Sequence, residues 1–269
     1  MRVYFSIITI ILAFLVFPAS AQEHALFQGR DDYMADLISK IKASTVSVGT
    51  YSFKDVPMTR FRGTGFAIGD GSRIVTNHHV IRGIKEKKRM FYLRIFHKNL
   101  PGKGVKAVLV AEDPFHDLAI LEMAGKLAPL PMAAEGTLKE GHQVAFTGFP
   151  IGFVLGLNAT THTGIVSAIA PVILPSPHGS LIKGEMIKYL EHPWDIIQLD
   201  AVAFPGNSGS PVYRVATGHV VGVINKVFVK GKKEHVLKEP TGITYAVPVS
   251  FVRKLDRSIN PAAKSKHPG

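Results

Sequence analysis

The stretch GTGFAIGDGSRIVTNHHVI, residues 63–81, decides how the chain is read. Two short apolar runs, Gly65–Ile68 and Arg73–Thr76, are parted by Gly69-Asp70-Gly71-Ser72. Each run is strand-sized, and no helical period joins them. Gly63-Thr64-Gly65 is not a dinucleotide fingerprint, because no helix or βαβ unit follows it. It marks instead a strand with little room for side chains. The second run ends at Thr76 and is followed by Asn77-His78-His79, so two imidazoles sit at a strand end.

Outward from there the same pattern recurs. Strands are predicted at Thr45–Val48, Met90–Phe96, Val105–Val110, Leu118–Glu122, Gln143–Thr147 and Thr163–Ile169. More follow at Ile196–Leu199, Pro211–Arg214, His219–Ile224 and Ile243–Val247. Short runs punctuated by Gly, Pro, Asn and Asp, without regular helices between them, indicate an all-β sandwich or barrel rather than alternating βαβ units. Ala124–Ala134 reads as the linker between two halves, neither a repeat of the other. Helical spacing occurs only near the ends. Tyr33, Met34, Leu37, Ile38 and Ile41 share one face of a helix over Asp31–Lys42, and Val252, Leu255 and Ile259 mark a short closing helix. The predicted organisation is a leader over 1–21, an N-terminal segment with a short helix over 22–43, a first half over 44–125, a second half with the closing helix over 126–258, and a disordered basic tail over 259–269.

The leader has the form of a secretory signal peptide. Arg2 precedes an almost wholly apolar run from Val3 to Phe17, and Ala19-Ser20-Ala21 is a small-x-small cleavage site. That run is shorter than the ~20 residues a spanning helix needs. An exported chain, periplasmic or secreted, is expected. Its lack of cysteine excludes disulfides, a cysteine nucleophile and zinc–thiolate sites. No HExxH or comparable spacing calls for a metal. The net charge is +12, with basic runs at Lys85–Arg89, Lys230–Lys233 and the tail. Such a surface suits anionic lipid or polyanion, although solvated loops carry runs of this kind too. No nucleic-acid motif accompanies them, so no nucleic-acid partner is expected.

FPGNSGSPV, residues 204–212, is the second informative stretch. Glycines flank Ser208 and permit a sharp turn that pushes a hydroxyl outward. The same turn lets successive N–H groups point into one small space, where they could stabilise an oxyanion. A serine nucleophile needs a base, usually a histidine oriented by a third group. His78 and His79 stand at one strand end, and Asp117 stands at the start of another.

The segments GTGFAIGDGSRIVTNHHVI, HDLAIL (116–121), GFPIGF with TTHTGIVSAI (148–169), LDAVAFPGNSGSPV (199–212) and GITYAVP (242–248) occur in that order. Together they resemble the trypsin-like serine proteases in their bacterial HtrA/Deg branch, over roughly residues 40–255. The His, Asp, Ser order is that of chymotrypsin-like enzymes. The resemblance implies two antiparallel six-stranded β-barrels with short terminal helices. It places the catalytic histidine at His79 rather than His78, the acid at Asp117 rather than Asp113, and the nucleophile at Ser208 rather than Ser210. The oxyanion hole falls on the N–H groups of Gly206 and Ser208. No metal or organic cofactor is implied. Polypeptide substrates, a role in envelope protein quality control and an oligomeric assembly are.

Three features depart from the family pattern. Deg relatives usually carry Gly-Gly after the serine, whereas this chain has Gly209-Ser210-Pro211, similar to glutamyl endopeptidases and exfoliative toxins. Those relatives place a histidine in the segment resembling Gly222-Val223-Ile224-Asn225, and none is present here. Val202 and Ala203 offer no carboxylate for Lys or Arg. The pocket over Val202, Ala203 and Ile224 is therefore expected to take a small or medium aliphatic side chain. The stretch Pro171–Asp195, with the only tryptophan, Trp194, is longer than its Deg counterpart and reads as an inserted loop or a cleft or oligomer contact. The sequence ends soon after the protease segments, and no PDZ domain of about 90 residues is expected within it. The alternative function is a catalytically silent protease shell that binds anionic lipid or polyanion through its basic clusters.

Overall fold

The computed structural model describes residues 19–54, 56–84, 92–101, 103–150, 158–172, 192–225 and 242–259. The chain divides into an N-terminal unit ending at Asp36 and a compact unit from Leu37 onward. Helix α1 spans Ala19–Ser44, starting earlier than its apolar spacing predicts. The spacing marks only the packed end, where Leu37 and Ile41 are buried. No proline interrupts the residues before it, so nothing stops the helix from continuing toward its N-terminus. Among the described residues no helix is long and apolar enough to cross a membrane. The predicted leader up to Pro18 and the tail beyond Ile259 lie outside the described residues.

Six strands form the first closed barrel: β1 (Thr45–Tyr51), β2 (Thr59–Ile68), β3 (Arg73–Thr76), β4 (Tyr92–Phe96), β5 (Val105–Asp113) and β6 (Leu118–Met123). Their order is β1-β2-β3-β6-β5-β4, antiparallel throughout. Six more form the second: β7 (Gln143–Gly148), β8 (Thr160–Pro171), β9 (Asp195–Asp200), β10 (Pro211–Arg214), β11 (Val220–Asn225) and β12 (Ile243–Pro248). That barrel closes as β10-β11-β12-β9-β8-β7. Closure leaves no unpaired sheet edge. Every strand lies where the short apolar runs predict one. Much of β2 escapes the reading because Thr59-Arg60-Phe61-Arg62 is only half buried and carries two charges.

Each barrel is packed by its own apolar cluster. Val46, Val48, Ile74, Ile95 and Leu121 centre the first; Val144, Phe146, Ile197, Leu199 and Val212 centre the second. Among the described residues two short helices follow α1: α2 (His78–Ile81) and the closing helix α3 (Val249–Ile259). Helix α3 holds both halves. Its Asp256 accepts from Arg73 of β3 at 2.5 Å, and its Arg253 donates to the carbonyls of Met132 and Ala133 in the stretch joining the barrels.

Candidate active site

Strand register brings two of the predicted site residues, His79 and Asp117, together. In the β3–β6 pair Thr76 lies opposite Ala119, so the residues after β3 and those before β6 share one barrel end. His79, on α2, and Asp117 therefore meet. His79 Nδ1 lies 2.6 Å from Asp117 Oδ2, and the His79 backbone N–H donates to Asp117 Oδ1 at 2.8 Å. The Asp117 carbonyl accepts from Asn77 Nδ2 and from the His78 N–H. Asp117 holds a left-handed backbone, φ +54°, which aspartate tolerates better than most residues. Ring and carboxylate are thus fixed by backbone contacts as well as by their own bond, with Nδ1 as the protonated nitrogen facing the acid.

The neighbouring candidates have other partners. His78 Nε2 faces Glu112 at 3.6 Å, and Asp113 binds His116 Nδ1 at 2.6 Å. Burial pushes Asp113 upward, but hydrogen bonds from the His116 ring and backbone and from the Phe115 N–H outweigh it and hold the carboxyl below its ordinary value.

Ser208 sits in the loop entering β10, and β11 returns beside that loop. Gly209 N–H donates to the Ile224 carbonyl at 3.0 Å, and Ile224 N–H to that of Ser210 at 2.9 Å. Gly206 and Gly209 both have positive φ, +102° and +88°. The N–H of Asn207 donates to Phe204 and that of Ser210 to Asn207. Those of Gly206 and Ser208 make no hydrogen bond among the described residues. These are two N–H donors two residues apart, one of them on the serine itself.

The first barrel reaches this loop through Gly63 and Thr64. Thr64 N–H donates to the Ser208 carbonyl at 2.8 Å, and Thr64 Oγ1 donates to the Gly206 carbonyl at 2.8 Å. Gly63 has no room for a side chain: a Cβ there would press on Val80, next to His79, and on the Ser208 carbonyl. That crowding is the physical content of Gly63-Thr64-Gly65, and it sets the serine loop beside the histidine helix. Ser210 faces elsewhere. Its buried Oγ has no partner among the described residues and lies against Gly148.

Four residues of the site escape the sequence reading. Asn225, last in β11, donates from Nδ2 to Asp117 Oδ2 at 3.0 Å, linking the second barrel to the acid of the first. Asn77 and Thr64 act as just described. Thr244 donates to the Ala201 carbonyl and accepts from Ala203 N–H, shaping the segment ahead of the serine loop. Of the predicted pocket residues, Ile224 belongs to the second apolar cluster and Ala203 packs against it, whereas Val202 is half-buried and outside it. Among the described residues no group of His, Asp and Glu could hold a metal.

A family model described as "Trypsin-like peptidase domain" matches residues 63–223. The chain belongs to that family. It is 30% identical over 195 residues to the "Probable periplasmic serine endoprotease DegP-like" of Chlamydia muridarum, covering 72% of this chain and 33% of that one. The protein of the same description from Pseudomonas fluorescens is also 30% identical, over 75% of this chain and 36% of its own. The chain thus spans about a third of the length of these curated relatives. Among solved structures it resembles Deg5, with TM-score 0.61 and 24% identity, over 86% of this chain and 96% of that one. It also resembles the HtrA-type protease AlgW with tripeptide, with TM-score 0.58 and 22% identity, over 84% and 63% of the two chains. At these identities the structures support the two-barrel fold.

Proposed function

We propose that this trypsin-like peptidase is an exported serine endopeptidase acting on polypeptides. Ser208 Oγ attacks the peptide carbonyl. His79 takes its proton through the ring nitrogen not bound to Asp117, then returns it to the leaving amine. Asp117 holds the ring's tautomer and balances the charge of the imidazolium, without itself becoming protonated. The N–H groups of Gly206 and Ser208 receive the carbonyl oxygen as it becomes an oxyanion. The acyl-enzyme is then released by water, with His79 acting as base a second time. An apolar pocket over Val202, Ala203 and Ile224 favours a small or medium aliphatic side chain before the cleaved bond.

The observation that carries this reading is the joining of the His79–Asp117–Asn225 cluster to the serine loop through Gly63 and Thr64. The leader-like N-terminus and the relatives named periplasmic support export and a role among envelope proteins. The charge of +12, with basic runs at Lys85–Arg89, Lys230–Lys233 and the tail, supports a further contact with anionic surfaces. Fluorophosphonate labelling tests the reading. Wild type and Ser210→Ala should label, while Ser208→Ala and His79→Ala should not. Labelling that survives Ser208→Ala, or an unlabelled wild type, overturns it.

A further inference from the structure

Away from the serine loop, the second barrel holds a cavity of about 390 Å³, within the size range of small-molecule sites. Its walls come from the stretch before β7, from strands β8, β9 and β11, from the end of β12 and from the first two turns of α3. Ile197 and Val221 form a buried apolar floor, and the rings of Trp194 and Phe251 form one side. Charge is confined to exposed side chains of both signs, Glu135 and Asp195 against Lys254, so neither a cation nor an anion is singled out. The shape and chemistry suit an uncharged aromatic or branched aliphatic group.

The aromatic wall leads to the catalytic acid. Phe251 stacks on His116 with ring centroids 3.8 Å apart, and Trp194 meets both rings edge-on, at 5.3 Å and 5.2 Å. His116 immediately precedes Asp117, in a turn pinned by three contacts to Asp113. Phe251 and Trp194 thus touch the residue covalently joined to the partner of His79, which gives a ligand that displaces either ring a direct path to the catalytic acid. We propose that this cavity is a binding site for a small uncharged apolar molecule, and that its occupancy alters the reactivity of Ser208 through His116 and Asp117. The binding half stands on the cavity alone; the coupling half rests on the protease reading above.

Trp194 is the only tryptophan and lines the site, so its emission reports occupancy. Cyclohexanol, which neither absorbs nor emits at those wavelengths, is the probe. Wild type should show a saturable change in emission. Ala134→Phe, which places a ring in the cavity from an exposed position, should abolish it. A linear or absent response in wild type, or one unchanged in Ala134→Phe with the same melting temperature, overturns the site. At saturation the rate of fluorophosphonate labelling should change at least twofold in wild type. It should stay constant in Phe251→Leu, which keeps the apolar wall but removes the ring stacked on His116. A rate indifferent to cyclohexanol overturns the coupling. A wild type that never labels refutes the protease reading instead, while the emission titration still decides the site.

Discussion

At the scale of single residues, Asn225 makes the most specific demand. Its amide donates to the same Asp117 oxygen that holds His79. A hydrogen bond to a charged group contributes about 1.5–3 kcal/mol, so Asn225→Ala should slow fluorophosphonate labelling roughly 10- to 100-fold. Asn225→Asp should be slower still. It preserves shape but sets a second carboxylate against Asp117, which favours protonating one of the pair and weakens the hold on His79. Equal rates in the two variants would assign Asn225 a packing role only. Ser210 allows a converse test. Gly148→Ala should lower both activity and melting temperature, because the new Cβ collides with Ser210 Oγ. Ser210→Gly alone should change little, since that hydroxyl has no partner among the described residues. Adding it to Gly148→Ala should restore part of the loss. The restoration stays partial because Asn207 Oδ1 and Thr64 Oγ1 also crowd the position. No recovery in the double variant would refute the collision as the cause.

At the scale of elements, β2 is the strand on which the site depends. Thr64 carries four hydrogen bonds besides its ladder: to the carbonyls of Ser208 and Gly206, from Phe149 N–H, and from Thr76 Oγ1. Thr64→Val keeps the β-branched shape but leaves the Gly206 carbonyl and Phe149 N–H unpaired in a buried place. Each loss costs about 1–3 kcal/mol, and the loop that presents Gly206 N–H loses its anchor. Labelling should fall at least about 10-fold, and Thr64→Ser, which keeps the hydroxyl, should restore most of it. A Ser variant as slow as Val would show that the methyl, not the hydroxyl, matters. The same strand marks how far the sequence can be read. Buried runs such as Leu118–Met123 declare themselves, because their apolar residues are contiguous. The half-buried start of β2 does not, because its charges point to solvent. His79, Asp117 and Ser208 stand in recognisable local motifs. Asn225 and Thr64 act across 108 and 142 residues of sequence. No local pattern signals such a contact, although Asn225 stands in the very segment inspected for a pocket histidine. The cavity beside α3 is hidden for the same reason: its walls come from five separated segments.

At the scale of the whole molecule, the placement of buried titratable groups sets the response to acid. His97, 3% exposed at the end of β4, lies with Nε2 3.2 Å from the Lys42 carbonyl at the end of α1, while its Nδ1 accepts from Asn99 N–H. That pairing requires the neutral ring protonated on Nε2. A proton on Nδ1 would face the Asn99 donor. Burial pushes His97 below its ordinary value, against the pull of the Lys42 carbonyl, and it pushes His162 down as well, where that ring stacks on Phe146 in the second barrel. Both rings thus bind a proton more readily when the chain is unfolded. Their contribution is complete above the ordinary histidine value near 6.5 and is lost as pH falls through the lower folded values. Asp113, also held down, extends the loss to below about pH 4. The melting temperature should therefore decline from pH 7.5 to pH 5, by about 2–4 °C for each kcal/mol lost. His97→Gln can still donate to Lys42 but cannot titrate, and it should flatten the slope between pH 7 and pH 5. His162→Gln should do the same in the other barrel, and because the two rings lie in separate barrels with no shared partner their effects should add. A melting temperature that rises as pH falls would mean that the folded state binds these protons more readily, and an unchanged slope in both variants would mean that the two rings titrate alike in the folded and unfolded chain; either overturns the assignment.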